Sequence, residues 1–416
     1  MKASLDDIKN KTEQDPLVFD PRFIAMSPDP FPALKAFRES DPVHWSTKLS
    51  AWILTRYDDV RKALKVPDLS ANRLQPFFEQ LPQGKRSAMA DLIRYLSLWA
   101  SFRDPPDHSR VRGILNAAFP LKIVEDWTPR IAIIVDNLLD RMEQQSSPEL
   151  IRDLGFRLPW TVIMDMLGVP ASYLDEAGRW SNDIALFIGS SQNAPDKYER
   201  AQEATRRMKE MLVAIVADRR AHPQQDLLSV LIHADQGRGP LTHEEVLATC
   251  ILLIVAGHET TALSIGNSVR TLLRHPEQLE RLRSDPSLLS SAVEECLRFE
   301  GPVGSVGRVV AVDHEMRGKH LKSGDRVFLM IGAANRDNSA FKDPDMFDVG
   351  RTPNPHLTFG GGLHFCLGAP LARLEIKLAL DKMIRRYPQM GLIDRPLEWT
   401  NTLVMRGLKA LPLRLE

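Results

Sequence analysis

Residues 359–368 of the 416-residue chain read Phe-Gly-Gly-Gly-Leu-His-Phe-Cys-Leu-Gly, and a helical pattern begins at Ala369. Glycines permit backbone turns and close approaches that a side chain would block. The start of a helix offers unpaired N–H groups and a positive potential, which favour a thiolate over a thiol at Cys366. The stretch therefore predicts a loop that presents one thiolate, as a metal ligand or as a nucleophile.

The fixed positions of this loop match F-G-x-G-x-H-x-C-x-G, and in this the chain resembles the cytochrome P450 family. The resemblance implies haem b as the cofactor and Cys366 as the axial ligand of its iron. It also implies that Phe359 packs beside the sulfur and that Gly368 and Ala369 donate backbone hydrogen bonds to it. The alternative is a buried structural cysteine. A zinc or disulfide role has no partner cysteine nearby in the sequence.

The rest of the chain predicts a mainly helical protein. From about residue 120 to residue 298 apolar residues recur at helical spacing. Thr242-His243-Glu244-Glu245 is a capping box that begins a long helix ending near Arg274. A last helix is expected from about 368 to 388. Short strands are expected at 43–45, 52–55, 308–312 and 326–331, with irregular stretches at 15–32 and 335–355.

The resemblance implies the fold of the family, which is mainly α with a minor β region. This fold is a triangular helical prism with a long central distal helix and small sheets. We expect one domain over residues 1–416. Its β-rich parts should lie at about 40–60 and 305–335, and its helical parts at about 85–300 and 368–388.

The centre of the long helix reads Ala256-Gly257-His258-Glu259-Thr260-Thr261. Glycine and adjacent threonines weaken a helix, so another role is expected there. A threonine hydroxyl can also bond back to a carbonyl of the preceding turn and bend the helix. By resemblance this is the oxygen-binding groove: Ala256 and Gly257 leave room for dioxygen, Glu259 relays protons, and Thr260 donates a hydrogen bond. A polar kink without catalytic function is the alternative.

Further motifs resemble those of the family. Glu295 and Arg298 form its E-x-x-R pair, which would be structural and tie its helix to the stretch before the cysteine loop. The resemblance also assigns four residues to the haem propionates, since buried carboxylates need cations. These four are His108, Arg112, Arg308 and His364.

Composition excludes some classes of function. Lys+Arg and Asp+Glu both number 54, which argues against a nucleic-acid partner. The three cysteines suit a reducing compartment better than a disulfide framework. Residues 1–21 mix charged residues with few apolar ones, and the longest apolar run, 250–257, is far shorter than a membrane span. We therefore expect a cytoplasmic protein without membrane insertion.

Together these features predict a haem-thiolate monooxygenase that inserts one oxygen atom of O2 into a mainly hydrophobic small organic substrate, by hydroxylation or epoxidation. No reductase domain is recognisable, so electrons would come from NAD(P)H indirectly, through a ferredoxin reductase and a ferredoxin. Arg110 and basic residues near the cysteine loop are candidates for the docking face. The alternatives are a peroxide-driven or other non-monooxygenase enzyme of the same fold and a non-catalytic haem sensor.

A mainly apolar pocket over the haem is expected to bind the substrate. Its candidate residues are Leu253, Ala256, Val303, Ser305 and Val404, within a wider set that comprises 74–78, Trp99, 185–195, 253–256, 303–305 and 403–405. Residues 189–193 resemble the tip of a mobile lid. The sequence does not identify the substrate.

Overall fold

The structure is a computed structural model that describes residues 17–189, 195–235, 237 and 239–415. Most of the expected lid tip, residues 190–193, therefore lies outside the described residues. The α-helices in chain order are α1 Pro21–Met26, α2 Phe31–Ser40, α3 Tyr57–Ala63, α4 Leu74–Glu79, α5 Gln83–Ala88, α6 Ala90–Ser97, α7 Asp107–Ala118, α8 Leu121–Asp126, α9 Thr128–Glu143, α10 Arg157–Met166, α11 Leu174–Ile188, α12 Lys197–Ala221, α13 Leu227–His233, α14 His243–Arg274, α15 Pro276–Ser284, α16 Leu289–Phe299, α17 Ile331–Ala334 and α18 Ala369–Arg386.

Nine short strands accompany these helices in the described part of the chain. They are β1 Val43–Ser46, β2 Ala51–Leu54, β3 Leu69–Ser70, β4 Val306–Val310, β5 His314–Met316, β6 Lys319–Leu321, β7 Arg326–Leu329, β8 Gly391–Leu392 and β9 Leu413–Arg414. Five of them form one sheet in the order β1-β2-β7-β4-β3, in which only β2 and β7 run parallel. The pairs β5–β6 and β8–β9 are separate antiparallel ribbons. The prediction of a mainly helical fold with small sheets is confirmed.

The long helix α14 organises the interior. It begins with the predicted capping box, because the Thr242 side chain accepts from the N–H of Glu245 and the Glu245 carboxylate accepts from the N–H of Thr242. Its first half, up to Val255, packs with α6, α7 and α10–α13. Its second half, from Ile265, packs with α9, α16 and α18. It is also long and apolar enough to cross a membrane, but 67% of its most apolar 18-residue stretch is buried inside the protein. α14 is therefore a core helix that passes through two helical cores, the first formed with α6, α7 and α10–α13 and the second with α9, α16 and α18.

The prediction of an irregular segment at 15–32 was wrong for α1 and the start of α2. Pro21 occupies the first turn of α1, where a missing N–H costs nothing, and its fixed φ suits a helix. The Asp20 carboxylate accepts from the N–H groups of Arg22 and Phe23, at 2.9 and 3.1 Å, and so caps this helix. Proline and aspartate here mark helix starts rather than a loop.

Strand β4 also differs from the prediction, since it covers 306–310 rather than 308–312. Its register is set by β7, against which Val306 pairs with Leu329 and Arg308 with Val327. The π-helical turn Ile151–Gly155 and the β5–β6 ribbon were not predicted. Both depend on neighbouring elements rather than on a pattern within the segment.

Candidate active site

The cysteine loop is a tight turn held by its own backbone. The N–H of Cys366 donates to the carbonyl of Phe359 at 2.9 Å, which closes the loop. Gly360 and Gly362 have φ values of 73° and 63°, in the region that favours glycine. A Cβ on Gly362 would also lie 2.9 Å from the carbonyl oxygen of Leu64, at the end of α3. The glycines let the loop fold closely over α3 and deliver Cys366 just before α18.

Cys366 is partly accessible as a residue, and its sulfur lies among hydrogen-bond donors and cations. Burial raises its pKa, while backbone N–H groups of Gly368 and Ala369 and the charges of Arg112 and Arg373 act in the opposite direction. The two N–H donors are those that the sequence predicted. Such a sulfur suits an electropositive metal centre, which would favour the thiolate.

Cationic and imidazole groups gather on one side of this loop. The rings of His108, on α7, and His364 lie 4.3 Å apart between centroids. Burial lowers the pKa of His364 to about 4, assisted by the charges of Arg308, His108 and Arg112. The Nδ1 atom of His108 is buried and has no hydrogen-bond partner among the described residues. Arg112 donates to the carbonyl of Phe365 at 2.6 Å, and so links α7 to the loop.

Arg308 is 5% exposed, yet no ion pair joins it to any described residue. Its side chain donates to the carbonyl of Gly307 at 2.9 Å, and burial lowers its pKa to about 10. Buried cations are almost always paired with an anion. The structure therefore brings together all four residues predicted for the propionates, around a place that suits an anionic group.

A stripe of accessible residues interrupts the otherwise buried helix α14. Leu252, Leu253, Ala256, Gly257, Glu259 and Thr260 are partly or fully accessible, whereas the residues that flank them are largely buried. Their spacing of three and four places them on one helix face. The Thr260 hydroxyl donates to the carbonyl of Ala256 at 3.2 Å, which is the predicted bond to the preceding turn. An open groove thus lies along the middle of α14, between the two helical cores.

Glu259 lies in this groove with no hydrogen-bond or ion-pair partner among the described residues, and burial raises its pKa to about 7. The adjacent His258 lies on the opposite face, between the rings of Phe156 and Trp160 at 4.9 and 5.1 Å. Burial lowers its pKa to about 4, and its Nδ1 contacts the carbonyl of Ile254 at 2.9 Å. Of these two neighbours, only Glu259 can exchange protons with the groove.

Gly257, although it lies on the accessible stripe, also packs against a neighbouring helix. A Cβ on this residue would lie 3.2 Å from Cγ1 of Ile163 on α10. The glycine thus has a packing role against α10, whereas Ala256 is the small residue that opens into the groove.

Comparison with known proteins identifies the family. The family model described as Cytochrome P450 matches residues 45–390. The chain belongs to the cytochrome P450 family. It is 40% identical to cytochrome P450 107B1 of Saccharopolyspora erythraea, over 88% of this chain and 89% of that protein. It is 35% identical to 6-deoxyerythronolide B hydroxylase of the same species, over 88% of this chain and 90% of the hydroxylase.

A solved structure gives the same assignment for the fold. The crystal structure of P450BioI in complex with an acyl carrier protein ligated to hexadec-9Z-enoic acid matches with a TM-score of 0.87 and 34% identity. The match covers 95% of this chain and 100% of that one. This cytochrome P450 is accordingly a monooxygenase that uses haem b, O2 and reducing equivalents from redox partners. The sulfur with two N–H donors and the unpaired cations beside it fit a haem with its two propionates.

The E-x-x-R pair of this cytochrome P450 is fully buried. Arg298 makes two contacts of 2.7 Å with the carboxylate of Glu295, and it also donates to the carbonyls of Asn335, Pro344 and Met346. Glu295 further accepts from Arg351 and Asn354, each at 3.1 Å. The pair therefore fixes α16 to the irregular stretch 335–354, just before the cysteine loop.

Arg351 and Asn354 were missed by the sequence analysis, as was a second link through Glu294. Hydrogen bonds from His356 and Arg373 lower the pKa of Glu294 to about 2, although its burial acts to raise it. The Arg373 guanidinium lies 4.3 Å from the ring centre of Phe359, so this link reaches the cysteine loop. The sequence shows Arg351, His356 and Arg373 near the cysteine loop, but their spacing does not indicate which carboxylate each of them contacts.

The substrate-pocket predictions divide into accessible and buried residues. Leu253, Ala256, Val303 and Val404 are accessible to some degree. Ser305 was a wrong choice for a substrate contact: it is 0% exposed, and its hydroxyl donates to the carbonyl of Leu403 at 2.9 Å. Leu74, Phe78 and Trp99 are buried as well. Residues 303–305 pair with 403–405 instead, through the Val303–Met405 bridge.

Arg110 was also a poor candidate for a docking face. Its guanidinium contacts the Glu245 carboxylate, in the capping box of α14, and the carbonyl of Pro240. Arg103 donates to the same carboxylate at 3.0 Å. Arg110 therefore stabilises the start of α14 and has little freedom to meet a partner.

Proposed function

We propose that this cytochrome P450 hydroxylates or epoxidises a mainly hydrophobic small organic molecule, with electrons from a ferredoxin and its NAD(P)H-dependent reductase. The observation that carries the proposal is the pair Glu259–Thr260, which lies on the accessible stripe of α14. An acid whose pKa is raised to about 7 beside a hydroxyl donor suits proton delivery at neutral pH. A peroxide-driven enzyme or a haem sensor would not need this pair.

In the proposed mechanism, Cys366 would ligate the haem iron, and His108, Arg112, Arg308 and His364 would hold the propionates. The haem, when bound, would supply the redox chemistry that activates dioxygen with two electrons from the partner proteins. Below about pH 7 Glu259 carries a proton that it can release into the groove. Thr260 orients that proton through its hydroxyl, and Ala256 leaves room beside it. Both residues are proposed to act as catalytic residues.

The substrate class is supported by the apolar lining of the groove. Leu252 and Leu253 are accessible on the same face of α14 as Ala256. Phe77, which packs against the same hydrophobic core as Leu252 and Leu253, lies 6.2 Å from Phe187 and 6.2 Å from Tyr198 between ring centres. The hydroxylase relative is named for 6-deoxyerythronolide B, and the P450BioI structure contains an acyl carrier protein ligated to hexadec-9Z-enoic acid. A mainly apolar substrate is consistent with this lining.

The ferredoxin is proposed to dock over the cysteine loop. Leu363 and Phe365 in this loop are 56% and 43% exposed. Lys65 is exposed, and its side chain lies close to the loop. Its Cγ is 3.3 Å from the position that a Cβ on Gly362 would occupy. An apolar centre with a cation at its rim is suited to an acidic electron-transfer protein.

We also propose that residues 1–416 work as one domain in the cytoplasm. The continuity of α14 through both helical cores supports a single domain. The burial of that helix inside the protein supports a cytoplasmic location.

The test is turnover of a candidate substrate under 18O2 with NADPH, ferredoxin reductase and ferredoxin. We expect product that carries one 18O atom, with NADPH consumed in proportion. Product formation with hydrogen peroxide alone, and none with the electron-transfer chain, would overturn the proposal in favour of the peroxide-driven alternative. A matched reaction without ferredoxin controls for direct reduction by the reductase.

A further inference from the structure

Arg73 is a cation in the interior that the predicted cofactor contacts do not include. It follows the short strand β3 and precedes α4, next to β4, which carries Arg308. Its guanidinium carbon lies 4.4 Å from the ring centre of Phe102. Its side-chain carbon Cδ is 3.1 Å from where a Cβ of Gly307 would be. The side chain therefore runs across β4 towards the cluster of cations around Arg308.

No ion pair or side-chain hydrogen bond joins Arg73 to any other described residue. Burial lowers its pKa to about 9, assisted by the neighbouring charge of Arg308. Arg73 is nevertheless partly accessible. A guanidinium in this position, beside a second unpaired guanidinium, requires an anion.

Asp104, a carboxylate near these arginines, already has other partners. Asp104 accepts from the hydroxyl of Ser70 and from the N–H of Ala71 at 3.0 Å, and so shapes the turn that leads to Arg73. Its charge acts on Arg308 but is not among the influences on Arg73. The indole N–H of Trp99 is a further buried donor without a partner in the described part of the chain. Trp99 stacks on Phe102, with ring centres 5.7 Å apart, so this donor belongs to the same region as Arg73.

We propose that Arg73 binds a carboxylate inside the cleft, either a haem propionate or the acid group of a substrate. Bidentate pairing of a guanidinium with a carboxylate is the strongest contact available to it. The charge balance favours the propionate: Arg73, Arg112 and Arg308 carry three positive charges, Asp104 carries one negative charge, and two propionates would neutralise the remainder. The inference rests on the proposed function, because both carboxylates belong to the haem cleft.

The experiment compares holoenzymes of the parent and of Arg73→Gln, Arg73→Lys, Arg308→Gln and Arg61→Gln. Arg61 is an exposed arginine paired with Asp58 at 3.1 Å and serves as the matched control. The first readout is the rate of haem transfer from each oxidised protein to excess apomyoglobin. The second is the spin-state titration of each protein with dodecanoic acid and with its methyl ester.

If Arg73 binds a propionate, Arg73→Gln should lose haem roughly tenfold faster than the parent, as for a charged hydrogen bond removed, with Arg73→Lys between them. If it binds a substrate acid, haem loss is unchanged but the affinity for dodecanoic acid falls roughly tenfold, while that for the ester does not. Parental values in both readouts would overturn the inference. Failure of the proposed function is distinguishable, because it would appear in the 18O2 turnover of the parent, whereas haem transfer and the spin-state titration require no turnover.

Discussion

At the scale of single residues, Glu259 carries the most specific electrostatic expectation. Its pKa is raised from 4.5 to about 7 by burial, so the folded protein holds this proton more tightly than the unfolded chain. The parent should therefore lose stability relative to Glu259→Gln as the pH rises from about 4.5 to 7, because the glutamine cannot ionise. Thermal unfolding of both holoproteins at several pH values measures this. A difference in Tm that does not change with pH would contradict the assignment.

Thr260 should control whether the electrons from NADPH are used to form product or hydrogen peroxide. Replacing it with alanine removes the hydroxyl that donates to Ala256 and leaves the cofactor contacts in place. We expect Thr260→Ala to bind haem and accept electrons normally but to release most of the reduced oxygen as hydrogen peroxide. The measurement is peroxide and product formed per NADPH consumed. Thr260→Ser keeps the hydroxyl and should couple nearly as well as the parent; equal coupling in Thr260→Ala would remove Thr260 from the relay.

Single residues were also the scale at which sequence reasoning was most successful. The motif positions Cys366, Glu259 and Thr260 form fixed local patterns, so their neighbours in the structure are set by the loop or helix that carries them. The roles of Arg73 and Ser305 could not be predicted from the sequence. The role of each depends on a strand or segment distant in sequence, and no pattern around either residue indicates whether its side chain is free or already bonded.

At the scale of elements, the contact between α14 and α10 decides the effect of changing Gly257. A glycine-to-alanine change in a helix should gain about 1 kcal/mol in propensity. The added Cβ would lie 3.2 Å from Cγ1 of Ile163, and overpacking of this kind costs about 1–3 kcal/mol. Gly257→Ala should therefore be neutral or destabilising in the parent.

The same change should be stabilising in Ile163→Ala, where the obstructing Cγ1 is absent and a cavity receives the new methyl group. Denaturant unfolding of the four proteins in this double-mutant cycle gives the coupling. Additive effects of the two changes would mean that Gly257 does not pack on Ile163.

Elements whose start and end are marked by residues within their own sequence were predicted well, and elements without such residues were not. The capping box at Thr242 and the stop at His275-Pro276 gave α14 nearly to the residue. The pair Glu295–Arg298 was recognisable as an i,i+3 contact, but Arg351 and Asn354 reach Glu295 from an irregular stretch more than fifty residues away. The register of β4 is likewise set by β7, which no pattern within β4 reveals.

At the scale of the whole molecule, the proposed ferredoxin site lies on the face over the cysteine loop. Reversing the charge of Lys65 should raise the KM for ferredoxin roughly fivefold at low salt, as expected for loss of a favourable surface pair. The effect should shrink as salt is added, because exposed charges are screened. Steady-state rates against ferredoxin concentration measure it.

Lys35→Glu provides the control, since Lys35 is exposed on α2 and pairs only weakly, at 4.0 Å, with Glu39. It should leave the KM for ferredoxin unchanged. An equal rise in both variants would point to net charge rather than to a docking site at the cysteine loop.

Cys366 is proposed to bind haem iron as a thiolate. The carbon monoxide difference spectrum of the dithionite-reduced holoprotein reports this ligation. We predict a Soret band at the long-wavelength position typical of thiolate ligation in the parent, and its loss in Cys366→Ser. A band at the shorter wavelength typical of histidine or thiol ligation, in intact parent protein, would contradict the account.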